Sequence, residues 1–373
     1  MRVMHVAADL GTYGAERFVV LLLDRLRGQD AALAALTLAP ARPGDVPAGV
    51  DRFSAGRSGR YEIAFLGRLA AAMRAWRPDI VHTHTHAGKY WGRLAAILAG
   101  VPAIVHTEHN SEFGAPAPFR PVNRLLLRRT DAVITFSAAQ RERLVTEERI
   151  APERIAIIPS GIAIEAFDPQ ARARARAALA AGPGERLVVH VGRLSAVKNQ
   201  TLAIEALALL PDDVRLVLIG EGRDRAGLEQ LARDRAVAAR TELAGYRADA
   251  SALVAGADAA LLTSYNEALP LAAIEAMLAQ TPVVSTPWRG ADEMLGGGAF
   301  GVVAADFSPA AMAAAIRSVL DDPGAARERA ARAAAFARTE YDIATTARRH
   351  LALYRDVIER KRSASPAITA PRS

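Results

Sequence analysis

The chain has 373 residues, 51% hydrophobic and 23% charged, which is enough apolar material for a sizeable core and too much length for one ordinary compact domain. It has no cysteine, so disulfides, thiolate catalysis and cysteine-built zinc sites are excluded, and a reducing cytoplasm fits. The net charge of +7 is modest and no basic run is interleaved with aromatics, which argues against a nucleic-acid partner.

The start, MRVMHVAADLGTYGAERF, lacks an apolar run long enough for a signal peptide. No later segment reaches about 18 uninterrupted apolar residues, so no membrane span is expected. Short β-branched runs alternate with Ala/Leu/Arg helical stretches. The first-half strands are predicted at 3–8, 32–38, 80–84, 103–107, 132–136 and 155–158. Continuous apolar strands separated by helices imply a parallel sheet covered on both faces, and right-handed crossovers make it doubly wound. The segment 163–185, with Asp168-Pro169 and Ala181-Gly182-Pro183-Gly184, reads as an interdomain connection. The alternation then restarts: strands at 187–191, 214–220, 241–243, 257–263 and 282–286, helices at 199–210 and 223–234. The expected architecture is α/β: two Rossmann-like doubly wound domains, 1–165 and 185–342. A last helix, 343–361, can pack back on the first domain, and 362–373 reads as a disordered tail. Two such domains imply a cleft, with functional loops at the carboxyl ends of the strands.

Four segments carry candidate chemistry. In HVGRLSAVKNQTLAIEAL a strand ends at Val191, Gly192 turns the backbone, and Arg193 and Lys198 put two cations on a loop entering a helix N-terminus. Cations beside free N–H groups suit a diphosphate. In SYNEALPLAAIEAMLAQTPVVST, Glu267 precedes a helix opened near Pro270, and Glu275 lies one or two turns inside it. Two carboxylates so placed can accept hydrogen bonds from two sets of sugar hydroxyls. The first βα loop, 8–16, holds Gly11, Gly14, Ala15 and Glu16 without forming a G-x-G-x-x-G fingerprint. Five of the eight histidines cluster as His82, His84, His86, His106 and His109. On an extended strand the first three would point the same way. A metal site there is disfavoured, because spacing fixes no Asp, Glu or His partner. One or two of these histidines are expected to face the cleft, with His109 placed at a strand end.

Arg120, Arg124 and Arg128 in FRPVNRLLLRR sit four apart, a cationic stripe with 125–127 behind it. The first 165 residues hold 21 basic against 16 acidic side chains. Such a face suits an anionic lipid surface or an anionic substrate, or is a plain solvated helix face.

Taken together, YGAERF, PDIVHTHTH, VHTEHN, IPSGIAIEAF, VGRLSAVKN, LIGEGRDR, the Glu267–Glu275 segment with TPVVST, and RGADE resemble the retaining glycosyltransferases of group 1, or family 4, of the GT-B fold. The resemblance covers nearly the whole chain and rests on order and spacing. It implies that Arg193 and Lys198 neutralise a donor diphosphate and Glu275 holds ribose hydroxyls. Glu267 would bind hydroxyls of the transferred sugar, with Ala268, Leu269, Pro270 and Leu271 beside sugar and phosphates. Gly220, Glu221 and Gly222, with Tyr246 and Arg247, would flank the base. Gly14 would approach the diphosphate and His109 the transferred sugar; Glu16, His84, His86, Arg120 and Arg124 are acceptor-side candidates. The implied reaction is metal-independent and cofactor-free, with a nucleotide sugar as substrate and a saccharide or lipid-linked acceptor, in cell-surface polysaccharide, lipopolysaccharide or glycolipid synthesis. The implied location is cytoplasmic, with peripheral contact to the inner face of the membrane through Arg120, Arg124 and Arg128. Three positions depart from the pattern: Ala268 stands for a usual Gly, Ser160-Gly161-Ile162-Ala163 for Asn-Gly-Val-Asp, and Arg289-Gly290 for Gly-Gly.

A nucleotide-sugar epimerase or phosphorylase on the same scaffold stays open. A Rossmann dehydrogenase should show the dinucleotide glycine fingerprint and an acidic residue about 20 positions on, which Gly11/Gly14 followed by 18–26 does not supply. A non-catalytic nucleotide-binding protein would not need Arg193, Lys198, Glu267 and Glu275 to converge.

Overall fold

The computed structural model describes residues 1–10, 14–40, 46–57, 59, 62–109, 120–164 and 168–364. The chain divides into two compact units, Met1–Ala163 with Asp342–Ser373, and Ile164–Tyr341.

The first unit is built on a seven-stranded parallel sheet: β1 (Arg2–Ala7), β2 (Ala32–Thr37), β3 (Asp51–Ser54), β4 (Ile80–Thr83), β5 (Ala103–Thr107), β6 (Ala132–Thr135) and β7 (Ile155–Ile157). Spatially the order is β3-β2-β1-β4-β5-β6-β7. The order reverses between β1 and β4, where open parallel sheets leave a crevice at the carboxyl ends of the strands. β4, β5, β6 and β1 from Val3 onward are buried on both faces, so their residues are mostly apolar, with His5, His82, Thr83, His106, Thr107 and Thr135 toward the carboxyl ends. The crossovers carry α1 (Gly14–Leu26), α2 (Ala64–Trp76), the single turn α3 (Thr85–Ala87), α4 (Arg93–Ala99), α5 (Arg120–Arg128) and α6 (Ala138–Thr146).

The second unit holds a six-stranded parallel sheet of β8 (Arg186–Val191), β9 (Val214–Ile219), β10 (Thr241–Gly245), β11 (Ala259–Leu262), β12 (Val283–Ser285) and β13 (Val302–Val303), ordered β10-β9-β8-β11-β12-β13. Its reversal lies between β8 and β11. Its helices are α7 (Ala171–Ala178), α8 (Gln200–Leu207), α9 (Arg225–Asp234), α10 (Ala250–Leu253), α11 (Leu271–Leu278), α12 (Ala291–Met294), α13 (Pro309–Leu320) and α14 (Pro323–Glu340).

The last helix, α15 (Ile343–Ala364), belongs to the first unit. Ile343, Ala347, Leu351, Tyr354 and Val357 form a buried stripe at helical spacing that packs with Phe18, Leu22 and Leu26 of α1. Each fully buried leucine there is worth about 1.5–3 kcal/mol of transfer free energy. The chain returns beside Gly161, where a Cβ would lie 2.6 Å from the Ile343 Cα. That contact accounts for the glycine in the Ser160–Ala163 stretch.

The structure differs from the sequence reading at several points. The stretch 163–185, expected as a connection, contains α7, which folds into the second unit: Ala175 packs against Gly256, and Arg172 and Arg176 bond Asp258. The second unit therefore starts near 164, not 185. The tail expected from 362 is helical to Ala364, because α15 runs one turn further; residues 365–373 lie outside the described ones. Two strands, β3 and β13, were not expected. On α5, Arg124 and Arg128 are exposed, but Leu125 is 61% exposed beside them instead of behind them; Leu126 is buried. No helix among the described residues is long and apolar enough to cross a membrane.

Candidate active site

At the reversal of the second sheet, the loops after β8 and β11 meet. Lys198 Nζ bonds Glu267 Oε1 at 2.5 Å, and the Ser264 hydroxyl donates to the same oxygen at 2.5 Å. The Thr263 hydroxyl donates to the Lys198 carbonyl and the Tyr265 N–H to the Val197 carbonyl, so the two loops are stitched by main chain as well as by charge. The Lys198 side chain is 31% exposed and that of Glu267 10%. The ammonium therefore remains reachable by a ligand, while the carboxylate that orients it is largely withdrawn from water.

Asn199 ends the cation loop in a left-handed conformation, φ 51°, and α8 starts at Gln200, one residue after the expected start. The buried Gln200 amide donates to the Arg193 carbonyl at 2.9 Å, fixing the loop to the helix, while Arg193 itself is exposed. Beneath the loop lies His190, buried and lowered to about 4 by burial first and by the Lys198 charge second. It stays neutral at pH 7, and its Nδ1 has no hydrogen-bond partner among the described residues. α11 opens at Leu271 behind Pro270, so the first N–H groups of that helix have no intrahelical acceptor. Ala268 and Pro270 are buried; Leu269, Leu271 and Glu275 are half-buried, with Glu275 one turn inside the helix.

The loops after β8, β9 and β10 are sewn together by Gly192 N–H to Ile219 O, Leu194 N–H to Glu221 O and Gly220 N–H to Gly245 O. Gly220 sits at φ 148°, where a Cβ would fall 2.0 Å from the Gly192 oxygen; a Cβ on Gly222 would fall 2.0 Å from the Leu194 oxygen. Only glycine allows this approach. Tyr246 is 78% exposed. Glu221 pairs with Arg225 and Arg247 with Asp249, so these two charges are engaged at the surface.

In the first unit, the reversal between β1 and β4 is occupied by histidines. His5 Nδ1 lies 2.9 Å from His84 Nε2, and His84 Nδ1 lies 3.0 Å from His109 Nε2. His82 Nδ1 meets the Tyr354 hydroxyl at 2.6 Å and its Nε2 the Thr107 hydroxyl at 2.7 Å. Burial holds all of them below the ordinary imidazole range, His5 and His109 to about 3. The sequence groups His82, His84 and His109 correctly but misses His5, His350 and Tyr354. His86 departs from the expected strand: the extended backbone ends at His84, and α3 begins at Thr85 with φ 59°. Gly14 opens α1 and Glu16 lies in its first turn, while 11–13 are outside the described residues.

Next to His109, Glu108 pairs with Lys89 at 2.6 Å inside the unit. Burial pushes that carboxyl up, but Lys89 and His106 together outweigh it and hold it far below the usual carboxylate range. Arg93, fully buried and lowered to about 10 by burial, bonds Asn123, which in turn bonds Glu148. This network anchors the turn that carries His109. His5, His82 and His84 place ligand-capable nitrogens within 4.8 Å of one another, but all four nitrogens of His82 and His84 are already in hydrogen bonds.

Residues 171–338 match the family model described as Glycosyl transferases group 1, and residues 12–166 match Glycosyltransferase Family 4. The glycogen synthase of Mycobacterium tuberculosis is 34% identical over 288 residues, 74% of this chain and 68% of that one. The chain belongs to the group 1, family 4 glycosyltransferases. It is thus an enzyme of the hexosyltransferase type. The D-inositol 3-phosphate glycosyltransferase of Mycobacterium marinum is 30% identical over 311 residues, covering 78% of this glycosyltransferase and 66% of the relative. Among solved structures, HepE of Anabaena in complex with UDP matches with a TM-score of 0.84 at 21% identity, over 95% of this chain and 100% of that one. WaaG, a glycosyltransferase involved in lipopolysaccharide biosynthesis, matches at 0.76 and 19%, over 94% and 99%. These likenesses establish the GT-B fold of the glycosyltransferase.

Proposed function

We propose that the enzyme moves a hexosyl group from a nucleotide-diphosphate sugar to a hydroxyl of a saccharide or lipid-linked acceptor, with retention at the anomeric carbon and without a metal. The observation that carries this reading is the Lys198–Glu267 pair at the sheet reversal, a cation oriented by a carboxylate at the mouth of α11. Lys198 and Arg193 meet the diphosphate, the N–H groups of Leu271 and Ala272 add the positive end of a helix, and Glu267 and Glu275 accept from sugar and ribose hydroxyls. The bond from the anomeric carbon to the diphosphate oxygen breaks and leaves its electron pair on that oxygen. The acceptor oxygen bonds the same face of the sugar, and its proton passes to the leaving phosphate. Two carboxylates at glycosidase spacing are not needed, because cations stabilise a leaving group that is already good. The role of His109 toward the transferred sugar rests on the family resemblance. HepE of Anabaena, solved in complex with UDP and with UDP-glucose, supports a nucleotide donor. Mycobacterial relatives named for glycogen and phosphatidylinositol mannoside support a glycan or glycolipid product.

The test is a panel of UDP-, GDP- and ADP-sugars, followed by thermal shift and nucleotide release, with NMR of the product's anomeric centre. Binding of one sugar nucleotide and an unchanged anomeric configuration are expected. Failure of every donor to bind would sink the reading; a donor sugar isomerised without transfer would point to an epimerase.

A further inference from the structure

The three imidazoles His5, His84 and His109 form one continuous hydrogen-bonded line across the first unit's sheet reversal, at 2.9 and 3.0 Å. We propose that His5 is a positioning residue: through His84, it fixes the proton of His109 on Nδ1, so that this nitrogen is a hydrogen-bond donor to the transferred sugar. The inference rests on the reading of His109 given above.

A neutral imidazole carries a single N–H, so His84, bonded through both nitrogens, must donate through one and accept through the other. The line therefore has one direction, and reversing it moves the proton on all three rings together. Burial keeps these rings neutral at pH 7, as their lowered pKa values indicate. His82 stands beside the line at ring distances of 5.0 Å from His5 and 4.0 Å from His84, but its own nitrogens are taken by Tyr354 and Thr107.

The buried end decides the direction. His5 Nε2 has no partner among the described residues. If it carried the proton, a buried N–H would be left without an acceptor, a rarer state in folded proteins than an unmet acceptor. His5 therefore carries its proton on Nδ1 and donates to His84 Nε2. His84 then donates from Nδ1 to His109 Nε2, and His109 keeps its proton on Nδ1. The neighbouring His350 shows the same preference, since its Nδ1 faces the Thr346 carbonyl, which can only accept, and its unpartnered nitrogen is again Nε2. His109 is held in orientation by the ring edges of Phe18 and Phe136, at 5.7 and 5.4 Å between centroids.

Long-range 1H–15N NMR of the full chain at pH 7.5 reads the tautomer of each histidine directly and needs no substrate. In the wild type His109 should show a protonated Nδ1 and an unprotonated Nε2. His5→Phe removes the first donor and should populate both tautomers at His109. His5→Asn keeps an N–H at the position of Nδ1 and should restore the single tautomer. With the donor found by the panel, His5→Phe should lower kcat by about twofold for equal tautomers and by at most about fivefold, the worth of one neutral hydrogen bond, and His5→Asn should recover it. A wild-type His109 protonated on Nε2 would overturn the inference. So would an unchanged His109 tautomer in His5→Phe, or stoichiometric zinc in the purified protein, which would take the lone pairs instead. If no nucleotide sugar turns over, the tautomers still decide the relay, and only the reading of His109 as a sugar contact falls.

Discussion

Lys198→Ala separates a catalytic cation from a structural one. The side chain is 31% exposed and its partner Glu267 keeps the Ser264 hydroxyl as a donor when the ammonium is gone. Glu267 is only 10% exposed, but it keeps the Ser264 hydrogen bond, so losing the ammonium should cost about 1–2 kcal/mol of folding stability. The loops also stay joined by the Thr263 and Tyr265 hydrogen bonds, which the substitution does not touch. For a unit of this size the melting temperature should therefore fall by about 2–8 °C. Turnover should fall much further. Removing one preorganised group aimed at developing charge costs about 100- to 1,000-fold in kcat, or about 2.7–4 kcal/mol. Lys198→Arg keeps the charge but replaces a compact ammonium with a planar fork, and should recover only part of the loss. The assay is nucleotide release from the donor identified in the panel, alongside thermal unfolding of the same samples. Turnover within about threefold of wild type would refute the diphosphate role. A melting temperature lower by more than about 10 °C would show that Lys198 holds the fold instead.

Two further substitutions of condition or residue follow from the geometry. Gly222→Ala would place a methyl 2.0 Å from the Leu194 carbonyl oxygen, which also accepts from the Asp224 N–H at 3.5 Å and so is held in place. It should cost about 1–3 kcal/mol of stability and weaken nucleotide affinity by separating the β8 and β9 loops; unchanged denaturant midpoint and affinity would refute the close approach. Acid should unfold the first unit before the second. Burial lowers His5 and His109 to about 3 and His106 and His350 to about 4, with His82 and His84 also well below 6.5, whereas the second unit has only His190. Each folded value lies below the unfolded one, so the unfolded chain binds the extra protons as pH drops. The stability is fully present above pH 6.5 and is lost toward each folded value, at about 1.4 kcal/mol per pH unit for each histidine. Hydrogen exchange, corrected for intrinsic rate, should lose protection across 1–163 between pH 6.5 and 5 while 168–341 retains it; simultaneous loss in both would contradict the assignment.

The parallel sheets were legible because a strand buried on both faces must be apolar throughout, which makes runs such as 187–191 and 214–219 stand out against their helices. β3 escaped notice for the opposite reason: it is an exposed edge strand reading DRFS. α7 was mistaken for a linker because its inner face is not an apolar stripe. Arg172 and Arg176, one turn apart, reach Asp258, and only Ala175 is buried. A helix docked by ion pairs leaves no hydrophobic period to read.

The two candidate sites differ in the same way. The cations and carboxylates of the second unit lie in two loops directly after strands, so each is marked by its neighbours, a glycine at the turn and a helix start behind it. Their meeting then follows from the position of β8 beside β11 at the sheet reversal. The histidine line of the first unit is assembled from β1, the end of β4 and the end of β5, and its surroundings from α15, more than 230 residues downstream of His109. His5 sits inside the apolar run VMHVA, where nothing local distinguishes a functional side chain from a buried one. What identifies it is the unpartnered nitrogen at the end of a chain of partnered ones, a property that exists only once the sheet order 2-1-4-5 has placed those strands side by side.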